Sequence, residues 1–64
     1  MKTGIVKKWE FSKGWGFIED HDGYDYFFNI SNVRKGTHLK EGMKVKFDIF
    51  QGQRGDEAEN VSLV

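Results

Sequence analysis

Residues 13–18 of the chain read KGWGFI, and residues 25–29 read DYFFN. Side chains on a β-strand alternate between its two faces, so Trp15 and Phe17 are expected to lie on the same face. A short hairpin returns the second stretch to that sheet and places Phe27 beside the first two rings. The two stretches therefore predict adjoining strands that carry three flat rings on one face.

Three rings on a solvent-facing sheet form a platform on which unpaired nucleic-acid bases can stack. The opposite face of the same strands, which includes Ile18 and Phe28, already supplies core residues, so the rings are not needed to fill the core. Lys13 lies at the edge of the rings and is interpreted as a partner for phosphate groups. The pattern thus indicates a protein that binds single-stranded nucleic acid.

The chain has 64 residues, no cysteine and no apolar run long enough to span a bilayer. Its length predicts one domain over residues 1–64. A chain this short buries only about 60% of its unfolded surface, so a sheet closed on itself is expected to stabilise it in place of cross-links. The lack of cysteine and of an apolar leader predicts a cytoplasmic location.

The 10 basic and 10 acidic residues give zero net charge, which argues against a strong phosphate-binding field over the whole molecule. Basic residues are concentrated in the first predicted strand and just after it. Acidic residues are concentrated in the turn after the second strand and near the C-terminus. Two interpretations follow: the acidic groups lie away from the ligand face, or the clusters are ordinary solvated surface.

Segments rich in Val, Ile, Phe, Tyr and Trp alternate with glycines and predict five strands. Their ranges are 3–11, 15–20, 24–29, 44–50 and 57–63. The Asp-Gly pair within residues 21–23 predicts a tight hairpin. Residues 52–55 predict a longer glycine-bounded loop, and residues 31–33 predict a short helical turn capped by Ser31.

Five short strands with a long excursion between the third and the fourth predict an all-β fold, a five-stranded antiparallel Greek-key barrel of the OB type. Closing the sheet also removes exposed strand edges. Tyr26 shares the parity of Phe28 and is expected to point inward, with a partner for its hydroxyl group. Most of the core is predicted from aliphatic and aromatic residues of consistent parity: Ile18, Phe28, Ile30, Val33, Val45, Phe47, Ile49 and Val61.

Together these motifs resemble the bacterial cold-shock domain over essentially the whole chain. The matching segments are residues 4–7 (GIVK), 13–18 (KGWGFI), 25–31 (DYFFNIS), 39–42 (LKEG), 45–47 (VKF), 52–55 (GQRG) and 58–61 (AENV). The hexapeptide alone is a weak signal, because RNA-recognition motifs share part of it. The ordered set at this spacing is specific, and an RNA-recognition motif also needs two amphipathic helices for which this chain has no room.

The resemblance implies a barrel that binds single-stranded RNA and DNA and that acts as an RNA chaperone or a transcription antiterminator. The binding face that it implies consists of Lys7, Lys13, Trp15, Phe17, Asp25, Phe27 and Arg54. The rings would stack on successive bases, and the cations would neutralise phosphates or stack on bases. Asp25 would accept a hydrogen bond from a base edge.

The chain departs from the family pattern at several positions of this face. Where the family usually has Trp-Phe-Asn, residues 8–10 read KWE, so that Lys8 replaces a ring. Trp9 has the parity of Lys7 and is expected either to reach ligand at the edge of the platform or to cover the open end of the barrel. Asn29 and Ile30 replace a histidine and an aromatic residue, and they offer a hydrogen bond and an apolar contact without stacking.

The loop before Leu39 is shorter than is usual in the family and lacks its phenylalanine. His38 lies in this region and is interpreted as either an ordinary loop residue or a base contact. A loss of two stacking rings is expected to weaken binding by roughly 100-fold or more. We therefore predict modest affinity and a shorter footprint than a complete cold-shock surface would have.

A second interpretation is a small β-barrel whose aromatic face docks a peptide or a protein. Zero net charge and the lost stacking positions favour this alternative, whereas the KGWGF motif and Arg54 oppose it. An enzyme is not expected, because there is no cysteine and neither histidine has a triad context with a serine. No cofactor, metal ion, membrane or small-molecule substrate is predicted, and the chain is expected to be a monomer.

Overall fold

A computed structural model describes residues 1–64 and contains five strands and one short 3₁₀ turn. These are β1 (Lys2–Glu10), β2 (Trp15–Glu19), β3 (Asp25–Asn29), the 3₁₀ turn (Ile30–Asn32), β4 (Lys44–Gly52) and β5 (Gly55–Leu63). The strands close into a barrel in the order β1-β2-β3-β5-β4. The predicted all-β, five-stranded barrel is therefore confirmed. The structure contains no helix that is long and apolar enough to cross a lipid bilayer.

The pairing that closes the barrel differs in direction from the other four. The β1–β2, β1–β4, β2–β3 and β4–β5 pairs are antiparallel, as predicted. The β3–β5 contact is parallel and is limited to the pairing of Phe27 with Glu57. This short contact brings the turn between β4 and β5 next to the aromatic residues of β3.

A β-bulge interrupts β1 at Lys7. Val6 pairs with Ile18 and Lys8 pairs with Phe17, so Lys7 is an extra residue with no partner of its own on β2. A bulge of this kind resets the alternation of side chains along the strand. Residues 7 and 8 are both exposed as a result, and the inward side of β1 passes from Val6 to Trp9.

A second bulge lies in β5, where residues 60 and 61 together face one residue of β4. Asn60 has φ of 54°, in the left-handed region that asparagine tolerates better than most residues do. Its side-chain amide donates a hydrogen bond of 3.0 Å to Asp48 Oδ2. Because of this bulge, Ala58 and Val61 are both fully buried although they are three residues apart.

The core is one cluster of nine buried residues: Val6, Ile18, Tyr26, Phe28, Leu39, Val45, Phe47, Ala58 and Val61. Two predicted core residues are exposed instead. Ile30 is 45% exposed because the strand alternation ends where the 3₁₀ turn begins, and Ile49 is 44% exposed in a shallow depression beside Met1. Val33 is partly buried and packs against the cluster.

Two of the predicted turns also differ in detail. The cap of the 3₁₀ turn is Asn29 rather than Ser31, and the Asn29 amide donates a hydrogen bond of 2.9 Å to Asn32 Oδ1. The connection between β4 and β5 is a tight turn with only Gln53 and Arg54 between the strands, rather than a longer loop. Gly55 adopts φ of 90° there, a conformation that glycine accepts without steric cost.

The hydroxyl group of the inward-pointing Tyr26 binds a buried carboxylate in the turn between β2 and β3. Asp20 Oδ2 accepts a hydrogen bond of 2.9 Å from the Tyr26 hydroxyl, and Asp20 Oδ1 accepts bonds from the amides of Asp22 and Tyr24. Burial alone would raise the pKa of Asp20, but these hydrogen bonds and Lys2, 3.5 Å away, outweigh it and lower that pKa. Burial and the bond to Asp20 raise the pKa of Tyr26 to about 12.

These shifts predict that stability falls at both ends of the pH scale. The lowered pKa of Asp20 stabilises the fold above its ordinary value of 3.8, and that contribution is lost as the pH falls through the folded-state value. The raised pKa of Tyr26 stabilises the fold below pH 10, and that contribution is lost as the pH rises from 10 to about 12.

In Tyr26→Phe, the part of the alkaline destabilisation that arises from Tyr26 should disappear. Urea denaturation of the variant and the wild type at several pH values between 9 and 12 measures this contribution. The exposed Tyr24 is present in both proteins, so its titration does not distinguish them. At neutral pH the variant should be less stable by about 1.5–3 kcal/mol, because Asp20 loses a hydrogen-bond donor. Equal losses of stability above pH 10 in the two proteins would contradict the prediction.

Candidate nucleic-acid interface

Three aromatic rings on β2 and β3 form a continuous surface, here called the platform: Trp15, Phe17 and Phe27. Phe17 pairs directly with Phe27 across the two strands. The centroids of Trp15 and Phe27 are 6.3 Å apart with planes 20° from parallel, and Phe17 lies edge-on to both at 5.7–5.8 Å. Because Trp15 and Phe27 are roughly parallel and Phe17 is oriented edge-on to both, a planar ligand has more than one ring face on which to stack.

A glycine between the first two rings lets the platform lie close to the core. A Cβ atom at Gly16 would collide with the carbonyl oxygen of Lys8 and would come within 2.9 Å of Phe28 Cζ. Gly16 pairs with Trp9, whose ring stacks on Phe28 at 5.2 Å and 15° beneath the sheet. The platform is therefore supported from the inner side of the sheet by a second aromatic pair, which comes from β1 and β3.

Phe27 is covered rather than open, which corrects the expectation of three solvent-facing rings. The residue is only 7% exposed, and the guanidinium carbon of Arg54 lies 4.1 Å from the ring centroid. This contact is a cation–π interaction. Trp15 and Phe17 remain partly exposed, so they are the two rings that a ligand can reach without moving a side chain.

Glu57 fixes the turn that carries Arg54. Its Oε2 accepts a hydrogen bond of 3.0 Å from the Arg54 amide, and the side chain is buried against Gly52, where any Cβ would collide with it. Sequence reasoning missed this residue. A lone glutamate in a strand gives no signal of burial, since that depends on how the tight turn folds back over it.

Two lysines and two carboxylates of β1 and β3 lie along the platform as ion pairs. Lys7 Nζ is 3.2 Å from Asp25 Oδ2, which links β1 to β3 across the end of β2. Lys8 Nζ is 3.1 Å from Glu10 Oε2 on the same strand. These side chains are about half-exposed or less, and such surface pairs contribute only about 0–1 kcal/mol, so they can open in favour of a ligand.

Trp9 does not share the face of Lys7, because the bulge at Lys7 resets the parity of β1. Its partner is Gly16, and its ring packs against the core. The expected shared parity with Lys7 is therefore wrong, whereas the alternative of a structural role for Trp9 in the barrel agrees with this position. Its remaining exposed surface lines a separate groove of about 190 Å³ with Ile30 and His38. The other residues of that groove are Phe11, Val33, Thr37 and Leu39.

The structure thus divides the predicted site residues into three groups. The first surrounds the platform and contains Lys7, Lys8, Trp15, Phe17, Asp25, Phe27, Asn29 and Arg54. The second is the groove with Trp9, Ile30 and His38. The third group is Lys13 alone, which is exposed in the turn between β1 and β2 and lines neither the platform nor the groove.

Comparison with known proteins agrees with this geometry. A family model described as the 'Cold-shock' DNA-binding domain matches residues 2–64. The chain belongs to the cold-shock domain family. Domains of this family are nucleic-acid-binding proteins and not enzymes, so the prediction that the chain is not an enzyme is confirmed.

Curated relatives of this cold-shock domain cover nearly its full length. Cold shock protein ScoF of Streptomyces coelicolor is 45% identical, with 97% of each chain covered. Cold shock protein CspC of Bacillus subtilis is 44% identical over 95% of this chain and 96% of its own. The major cold shock protein of Streptococcus pyogenes is 41% identical over 97% of this chain and 96% of its own.

Proposed function

We propose that residues 1–64 act as one domain that binds single-stranded RNA or DNA by stacking bases on the platform. The observation that carries this proposal is the set of three contacting rings bordered by Lys7, Lys8 and Arg54. Trp15 and Phe17 offer the accessible stacking surface, and the cations supply partners for phosphates. Asn29 and Asp25 border the same rings, where they can bond base edges.

The affinity for nucleic acid is modest because the cations beside the platform already have partners within the free domain. Lys7 and Lys8 are engaged with carboxylates, and Arg54 lies on Phe27, so each must leave a partner before it meets a phosphate. In the groove, Ile30 and His38 add apolar contact and one hydrogen-bonding ring, but Ile30 offers no stacking. Weak, readily reversible binding of a short segment suits an RNA chaperone or a regulator of transcription, and we propose such a role.

The alternative function is docking of a peptide or protein on the same aromatic surface. Zero net charge and the paired lysines favour it, because they leave little free positive potential. The two functions differ in their response to salt. Binding of an oligonucleotide releases counterions and weakens steeply as the salt concentration rises, whereas docking of an apolar surface does not.

Fluorescence titration of the domain with heptathymidine and with a mixed RNA heptamer tests the proposal. Saturable quenching of tryptophan fluorescence is expected at low salt, and the logarithm of affinity should fall linearly with the logarithm of salt concentration. A lack of saturable quenching at near-millimolar protein and ligand would contradict nucleic-acid binding. Binding that does not respond to salt would favour the docking alternative.

In Arg54→Ala, the salt dependence of oligonucleotide binding should become shallower. On single strands each phosphate contact contributes a slope of about 0.7, so the loss of one contact should reduce the slope by about that amount. Arg34→Ala is the matched control, because Arg34 is exposed in a polar depression with Glu59 and Asn60, away from the platform. Equal slopes in the Arg54 variant and in the wild type would remove Arg54 from the phosphate contacts.

A further inference from the structure

Glu10 lies on the platform face, although no pattern in the sequence assigns it a role there. After the bulge at Lys7, β1 pairs Lys8 with Phe17 and Glu10 with Trp15. Residues that are directly opposite on antiparallel strands project from the same face. The carboxylate of Glu10 and the ammonium group of Lys8 therefore border the two rings that a base can reach.

The two groups form one small unit that has unused bonding capacity. Lys8 Nζ lies 3.1 Å from Glu10 Oε2, and both side chains remain partly exposed. Neither side chain makes another ion pair, and the Glu10 side chain takes part in no hydrogen bond with the rest of the protein. An ionised carboxylate only accepts hydrogen bonds, and an ammonium group only donates them. The unit can therefore donate and accept at adjacent points above the platform.

A carboxylate is poorly suited to the path of a phosphate backbone, since the two charges repel each other. It is well suited to a base edge that presents N–H groups. On its Watson–Crick edge, guanine carries one carbonyl oxygen followed by two adjacent N–H donors. Uracil and thymine carry one N–H between two carbonyl groups, and adenine and cytosine carry one amino group next to an acceptor nitrogen. Only guanine gives a carboxylate two adjacent donors and gives a neighbouring ammonium group an acceptor.

We propose that the Lys8–Glu10 pair reads the Watson–Crick edge of a guanine stacked on Trp15 or Phe17. Glu10 accepts hydrogen bonds from guanine N1–H and N2–H, and Lys8 donates to O6. This gives the domain a preference for single strands that contain guanine. The inference rests on the proposed nucleic-acid binding and names the base that this part of the platform prefers.

The test compares four DNA heptamers, titrated by fluorescence anisotropy. They are heptathymidine and three derivatives whose central base is guanine, adenine or inosine. Adenine controls for the stronger stacking of a purine, and inosine lacks only the N2 amino group. Wild-type protein should bind the guanine heptamer about tenfold more tightly than the adenine heptamer. This factor is near the lower end of the discrimination that a bidentate base contact provides. The inosine heptamer should bind with intermediate affinity.

In Glu10→Gln, the preference for guanine over adenine should fall to about twofold or less, while binding of heptathymidine should stay equal or become tighter because a negative charge is removed. A general loss of structure would instead lower the affinity for all four heptamers. Glu59→Gln is the matched control, since Glu59 lies in the polar depression with Arg34, and it should keep the wild-type preference.

Each outcome bears on the inference. Saturable wild-type binding with equal affinities for the guanine and adenine heptamers overturns it and leaves the proposed function intact. A preference that persists in Glu10→Gln also overturns it, because another group must then read the base. No binding to any heptamer overturns both the inference and the proposed function. Equal wild-type affinities for guanine and inosine overturn the bond from N2–H.

Discussion

Phe28→Ala should leave the domain largely unfolded at 25 °C. Phe28 is fully buried, stacks on Trp9 at 5.2 Å and lies directly beneath Gly16. Truncation of a buried phenylalanine to alanine costs about 3–5 kcal/mol. A domain of this size without cross-links has a total stability of about the same magnitude, so this one substitution removes most of it.

Urea denaturation followed by far-UV circular dichroism measures the effect. The matched control is Phe11→Ala, which makes the same chemical change at a side chain that is 70% exposed. We expect the control to lose less than about 1 kcal/mol. A cooperative transition of Phe28→Ala at the same urea concentration as the wild type would show that the aromatic pair beneath the sheet does not stabilise the barrel.

Trp15→Ala should weaken binding of single-stranded heptamers by about 10- to 100-fold. Trp15 is partly exposed and contacts both other rings of the platform. It lines the surface depression with Asn29 and Arg54 and also the one with Lys7, Lys8 and Asp25. Stacking of one base on an aromatic side chain contributes about 1–3 kcal/mol. Since Phe27 is covered by Arg54, Trp15 contributes a larger share of the accessible surface than one ring in three.

Fluorescence anisotropy of a labelled heptamer is the appropriate measurement, because it does not depend on the tryptophan that is removed. Ile49→Ala serves as the control, since Ile49 is an exposed apolar residue in a depression with Met1 and Phe47 that contains no residue of the platform. The control should bind with wild-type affinity. If Trp15→Ala also binds with wild-type affinity while circular dichroism shows it folded, bases do not stack on Trp15.

The sequence predicts the fold best where the strands are regular. β2 and β3 have no bulge, so simple alternation places Trp15 and Phe17 on one face and Ile18 on the other. The same reasoning fails for Trp9, because a one-residue bulge cannot be seen in a pattern of apolar residues. Leu39 is missed as a core residue for a related reason: it lies in a connection, where no periodicity applies.

The candidate site is predictable as a set of residue types but not as a set of contacts. The motif reveals that rings and cations are close to one another. It does not reveal that Arg54 covers Phe27 or that Lys8 is paired with Glu10, because those contacts depend on a tight turn and on side-chain conformations. Glu57 illustrates the limit: its burial is set by the tight turn that brings Gly52 against it and by the parallel contact with β3, which forms only when the barrel closes.

A base can stack on Phe27 only by replacing the guanidinium group of Arg54 that covers this ring in the free domain. Phe27 is buried in the free domain. A base that takes the place of the guanidinium group therefore removes little additional apolar surface from water. Burial of apolar surface is what lowers the heat capacity when a complex forms. That decrease therefore comes mainly from Trp15 and Phe17, and it is smaller than three bare rings would produce, whatever the affinity of the complex.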